Sequence, residues 1–116
     1  MIVRAGNYVS SGFSSGGRYD PSTDSGRPTS LGTNVPAARI SHIAVWSGNE
    51  MLVWGGYQSQ FTTASYLSDG GRSNPLSDTW FPISTGFNVP QARAAHTAAW
   101  NGSEMSALGG NVYTTP

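Results

Sequence analysis

The sequence predicts an all-β protein assembled from repeated antiparallel sheets. Three observations carry that expectation. A long stretch recurs at a fixed spacing, and each copy sets short alternating runs between glycine-rich turns. The composition, with 15 Gly, four Trp and five Tyr in 116 residues, suits strands and turns better than helices.

The repeat is the strongest signal. "NVPAARISHIAVWSGNEMLVWGG" begins at Asn34 and "NVPQARAAHTAAWNGSEMSALGG" at Asn88, an offset of 88 − 34 = 54 residues. The same offset links His42 to His96, Trp46 to Trp100, Glu50 to Glu104 and Met51 to Met105. Upstream it links "GGRYDPSTD" from Gly16 to "GGRSNPLSD" from Gly70. The N-terminal "MIVRAG" aligns with "MLVWGG" at an offset of 50 (Met1 to Met51).

Each unit reads as four antiparallel strands. "ISHIAVW" (40–46) alternates, and "SGNE" places Gly48 and Asn49 in a tight hairpin. "MLVWGG" (51–56) is a continuous apolar run, the pattern of a strand covered on both faces, closed by a glycine pair where the chain turns or packs closely. After a polar loop, a short strand around "LSDGGRS" leads to the turn "NPLSD", with Pro75 and Asn74 or Asp78 as turn formers. "TWFPIS" (79–84) is the last strand, and Pro82, which cannot donate to a ladder, puts it at the sheet edge. The shared tryptophans Trp46, Trp54, Trp80 and Trp100 are expected to be largely buried.

These residues resemble the kelch repeat. Arg39 and His42 stand in the first strand, Gly55 and Gly56 close the second, Asn74 and Pro75 form the turn after the third, and Trp80 lies in the fourth. The other unit matches with Arg93, His96, Gly109 and Gly110, and with Tyr19, Asp20 and Pro21. It departs from the pattern at Gly26 (where Trp80 stands), at Arg4 and Leu108 (where Trp54 stands) and at Ala5. The resemblance implies a β-propeller of four-stranded antiparallel blades. Residues 1–116 would be two repeats of 54 residues, supplying strands 2-3-4, then 1-2-3-4, then 1-2. Two blades cannot close a ring, since propellers use about four to eight. The expectation is a ring closed by homo-oligomerisation, with three chains favoured and four next, through a head-to-tail contact. A fragment of a longer propeller is the alternative that leaves the chain inactive by itself.

Composition removes several function classes. Six Arg and six acidic residues cancel, so charge gives no prior for nucleic acid. No run approaches the ~18 apolar residues of a membrane span, no secretory signal is legible, and the compartment stays open. Absence of Cys excludes disulfides and thiolate metal sites. His42 and His96 occupy equivalent places in different units and do not suit a compact metal centre. The recurring Arg18, Arg39, Arg72 and Arg93 read as internal partners of carboxylates or backbone carbonyls. Nothing marks a catalytic residue, a metal ligand or a cofactor site, so a non-enzymatic reading is preferred to a carbohydrate-processing or carbohydrate-binding propeller.

The unshared features point to binding. The loop after the second strand is "YQSQFTTASYL" from Tyr57 in one unit and the shorter "NYVSSGF" from Asn7 in the other. The resemblance implies that this loop and the one joining strand 4 to the next strand 1 share a face. Tyr8, Phe13, Tyr57, Gln58, Gln60, Phe61 and Phe87 are the candidate contacts there, offering flat apolar area with amides for a protein or glycan partner.

Overall fold

The computed structural model describes residues 2–4, 7–8, 11–12, 15–60, 63–86 and 89–112, with side chains at 15–58, 65–86 and 89–112. Every regular element in it is a strand. They are β1 (Ile2–Arg4), β2 (Asn7–Tyr8), β3 (Ser11–Gly12), β4 (Gly16–Asp20), β5 (Ser25–Pro28), β6 (Ile43–Trp46), β7 (Met51–Trp54), β8 (Tyr57–Gln60), β9 (Thr63–Tyr66), β10 (Gly70–Asn74), β11 (Thr79–Pro82), β12 (Thr97–Trp100) and β13 (Met105–Leu108).

Among the described residues five antiparallel sheets form, and three of them follow the repeat along the chain. The first has the order β1-β4-β5, the second β11-β10-β7-β6 and the third β12-β13. Strand bounds repeat at the 54-residue spacing: β4 to β10, β5 to β11, β6 to β12 and β7 to β13. Pro82 sits in β11, at the outer edge of the second sheet, opposite Gly71. An edge strand tolerates the missing amide.

The local reasons for these strands recur as well. The β6–β7 hairpin closes through Ser47 N–H to the Glu50 carbonyl at 2.9 Å, with Gly48 at φ 105°. The β12–β13 hairpin closes through Asn101 N–H to the Glu104 carbonyl at 3.0 Å, with Gly102 at φ 107°. Between β10 and β11, Asn74 Oδ1 accepts from Leu76 N–H, and Asp20 Oδ1 accepts likewise from Ser22 N–H between β4 and β5, each at 2.9 Å. A short polar side chain that bonds two residues ahead is the Asx form of turn nucleation.

The core lies in the second sheet. Met51, Val53, Trp54 and Trp80 are buried there, and Ala94 is buried near the third sheet. Half-buried Val35 packs on the Met51, Val53 and Trp80 cluster. Trp80 Nε1 donates to the Ser30 carbonyl at 2.9 Å, which satisfies the indole while its ring stays in the core.

Two of the four tryptophans depart from the expectation of burial. Trp46 is 50% exposed and Trp100 is partly exposed. Both close the first strand of a hairpin, and what covers them must come from a neighbouring sheet. The segments after the second strands also differ from simple loops: β2 pairs with β3, and β8 with β9, as small hairpins.

Candidate binding face and inter-sheet cleft

The structure brings two of the candidate segments together, since β3 lies beside β8. Tyr57 and Tyr66 face each other across the β8–β9 hairpin with ring centroids 5.4 Å apart at 61°. The Tyr57 backbone exchanges hydrogen bonds with Ile40, at 2.8 and 3.0 Å. Gln58 Nε2 donates to the Ala38 carbonyl at 3.4 Å, tying the hairpin to the segment that precedes β6. Tyr57 and Gln58 are therefore half-buried anchors of this region. Tyr8 and Gln60 stand at strand positions in β2 and β8; their side chains, and all of Phe13, Phe61 and Phe87, lie outside the described residues.

The recurring arginines hold the frame. Arg39 is 1% exposed. Its Nε donates to the Ala37 carbonyl, and its Nη1 reaches the Gly55 and Asp69 carbonyls and the Asp69 carboxylate, all at 3.0 Å. Arg93 repeats the first two bonds, to the Gln91 carbonyl at 3.0 Å and the Gly109 carbonyl at 3.3 Å. One planar guanidinium thus ties the start of each unit to its glycine pair. Arg18 and Arg72 occupy equivalent places yet act differently. Arg18 leaves its own sheet for the β10–β11 turn, donating to the Pro75 carbonyl at 2.7 Å and pairing with Asp78 at 3.5 Å. Arg72 stays in its sheet, paired with Glu50 at 3.2 Å and stacked over Phe81 at 5.2 Å.

Second and third sheets meet at a tight junction. Ala95 N–H donates to the Ser41 carbonyl and Gly56 N–H to the Arg93 carbonyl, both at 2.8 Å. The His96 ring meets Trp54 edge to face, with centroids 5.3 Å apart at 87°. His96 is buried, and neither ring nitrogen finds a hydrogen-bond partner among the described residues. Burial first, and the nearby Arg93 guanidinium second, push its pKa below the usual 6.5. Its ring is thereby held neutral, as a packing element.

First and second sheets meet across a space. An open cleft of about 420 Å³ lies between them, walled by Arg18 and Tyr19 of β4, Ala44 and Trp46 of β6, Met51 of β7 and Pro75. Tyr19 Oη donates to Asp24 Oδ1 at 2.7 Å, a bond that raises the phenol pKa. Sequence reasoning overlooked this cleft because it expected Trp46 to be covered. One signal was legible: Tyr19 is unshared, its equivalent being Ser73.

No protein-family model matches the chain, and no curated protein matches it. Among the described residues no group of three or more His, Asp or Glu converges as a metal site.

Proposed function

We propose that this chain is a non-enzymatic binding or scaffolding module of the kelch-like β-propeller type, which completes its ring with further copies of itself. The observation that carries the reading is the mismatch between equivalent sheets. Strand positions recur at 54 residues, yet among the described residues the three repeat-related sheets hold three, four and two strands. One edge of β1 and one of β13 therefore have no strand partner among the described residues. Open edges are templates for pairing with another chain. The sequence already contains what each incomplete sheet lacks: the first lacks an equivalent of β6, which β12 is, and the third lacks equivalents of β10 and β11, which β4 and β5 are.

On this reading each copy supplies two blades' worth of strands, and three copies make a six-bladed ring, with four copies next. The hairpins β2–β3 and β8–β9 form the face offered to a protein or glycan ligand. Aromatic rings anchored by backbone bonds suit that task, since little ordering entropy is left to lose on binding. Sedimentation equilibrium of the purified chain tests the assembly. The expected mass is three times 12.2 kDa. A stable monomer that unfolds cooperatively overturns the reading. Immobilised glycan and peptide arrays then identify the ligand class.

A further inference from the structure

We infer that the cleft between the first and second sheets is the seat of one more antiparallel strand, and that its occupant is β12, Thr97–Trp100, of a second copy of this chain. The inference rests on the self-completing reading above and names the segment and the seat.

Two equivalent tryptophans locate the vacancy. Trp100 ends β12, which packs beside β6 of the preceding sheet, and Trp100 is half-buried. Trp46 ends β6, whose preceding sheet is β1-β4-β5 and has, among the described residues, no strand equivalent to β6. Trp46 is 50% exposed and walls the cleft with Ala44. The equivalent residue of the equivalent hairpin is half-buried where an inner strand stands before it and exposed where none does. A large apolar side chain at the wall of an open cleft marks a surface with a missing neighbour.

Register follows from the complete sheet. There Ala44 lies opposite Val53 and Val45 opposite Leu52. Positions 52–54 of β7 correspond to 2–4 of β1 at the 50-residue offset, and positions 43–46 correspond to 97–100 at 54. The seated strand therefore places Ala98 opposite Val3 and Ala99 opposite Ile2, with Trp100 at the level of Trp46. β1 keeps its pairing with β4, in which Val3 lies opposite Gly17.

To take this seat β12 must give up β13, and little holds β13 in place. No residue of β13 is buried, whereas three of the four residues of β7 are. Leu108, at the position of Trp54, is 75% exposed. The exchange trades a thinly covered ladder of four residue pairs for one of three, seated in the cleft against the second sheet.

Cysteine cross-linking tests the seat directly, because the chain has no native Cys. Equal amounts of the full-length Val3→Cys and Ala98→Cys chains are mixed, oxidised mildly and run without reductant. A covalent heterodimer as the main product, with only minor homodimer from either variant alone, is the expected result. The neighbouring pair Ile2→Cys with Ala99→Cys guards against one variant failing to fold. The competing geometry is reported by Gly17→Cys with Ala107→Cys, the equivalents of Gly71 opposite Val53. A Cβ at Gly17 meets nothing nearer than the Arg27 carbonyl at 3.5 Å, so that variant is tolerated. If that pair cross-links and the first two do not, β13 has displaced β1 and the inference is overturned. If no pair cross-links in a protein whose mass is a multiple of the chain, the seat is wrong while self-assembly stands. A monomer removes both.

Discussion

The second and third sheets begin from related sequences, alike at 13 of 23 positions from Asn34 and Asn88, and end in different environments. Gly55 and Gly109 close β7 and β13 with φ of 74° and 75°. Each carbonyl accepts from the arginine sixteen residues earlier, Arg39 or Arg93. Yet a Cβ built on Gly55 would stand 2.6 Å from His96 Cε1, and one on Gly109 meets nothing within 4 Å. Just before them, Trp54 is 2% exposed and Leu108 75%. The repeat reproduces the backbone and its hydrogen bonds; burial depends on whether a further unit packs against it. The second sheet has the third beside it, and the third has no such neighbour among the described residues.

The two sheets should differ most at the position of Trp54 and Leu108. Trp54→Ala should cost about 3–5 kcal/mol, the range for emptying a packed aromatic site. Leu108→Ala should cost less than about 1 kcal/mol, because its side chain is mostly solvated already. Urea unfolding of the two variants measures both. A large cost for Leu108→Ala would mean that β13 is covered in solution, and would favour the hairpin over β1 as the strand that joins another copy.

The arginines offer the next largest contrast. Lys cannot reproduce the fork that joins the Ala37, Gly55 and Asp69 carbonyls, so Arg39→Lys should destabilise by about 2–3 kcal/mol. Arg93→Lys loses two more exposed bonds and should cost about 1 kcal/mol or less. Equal costs in thermal or chemical unfolding would contradict the asymmetry of burial.

Gly55 and Gly109 carry the same backbone strain, so it cancels between them. Alanine at either position is forced into the left-handed region, at about 1–2 kcal/mol. Only Gly55→Ala must also push His96 and the Arg93 carbonyl aside, so its excess over Gly109→Ala isolates the junction between the sheets. Identical shifts in unfolding midpoint would show that the junction is loose.

The smallest effect is in pH. The His96 pKa is lower in the folded chain than the ordinary 6.5, so the unfolded chain binds the extra proton first. Stability from the neutral ring is fully present above pH 6.5 and falls as pH drops from there toward the folded value. His96→Gln should flatten that part of the stability curve between pH 7 and 5. An unchanged slope would place the titration elsewhere.

Much of the fold was legible because the signals are local. The hairpin at 47–50, the turns after Asp20 and Asn74, the edge placement of Pro82 and the buried run 51–56 each follow from residues within a few positions of one another. The candidate face was legible only in part. Aromatic and amide content singled out Tyr57 and Gln58, but their partners, Tyr66 and the Ala38 carbonyl, depend on the β8–β9 hairpin and on a segment twenty residues upstream. Alternation across 57–66 is too weak to show that hairpin, since polar residues occupy both faces.

An all-β chain, its 54-residue period and the approximate places of its principal strands are legible in the residues alone, because turn chemistry and strand pattern act over a few residues; the expected runs 40–46, 51–56 and 79–84 shorten to Ile43–Trp46, Met51–Trp54 and Thr79–Pro82. Packing in three dimensions sets which of two equivalent positions is covered. Trp54 is enclosed and Leu108 is not; Trp100 is half-covered and Trp46 opens on a cleft; Arg18 reaches the next sheet while Arg72 turns back to Glu50. Burial and long-range hydrogen bonds are properties of two surfaces. A repeat specifies a similar surface each time, altered at positions such as Trp54 and Leu108, and leaves the opposing one to whatever stands beside it.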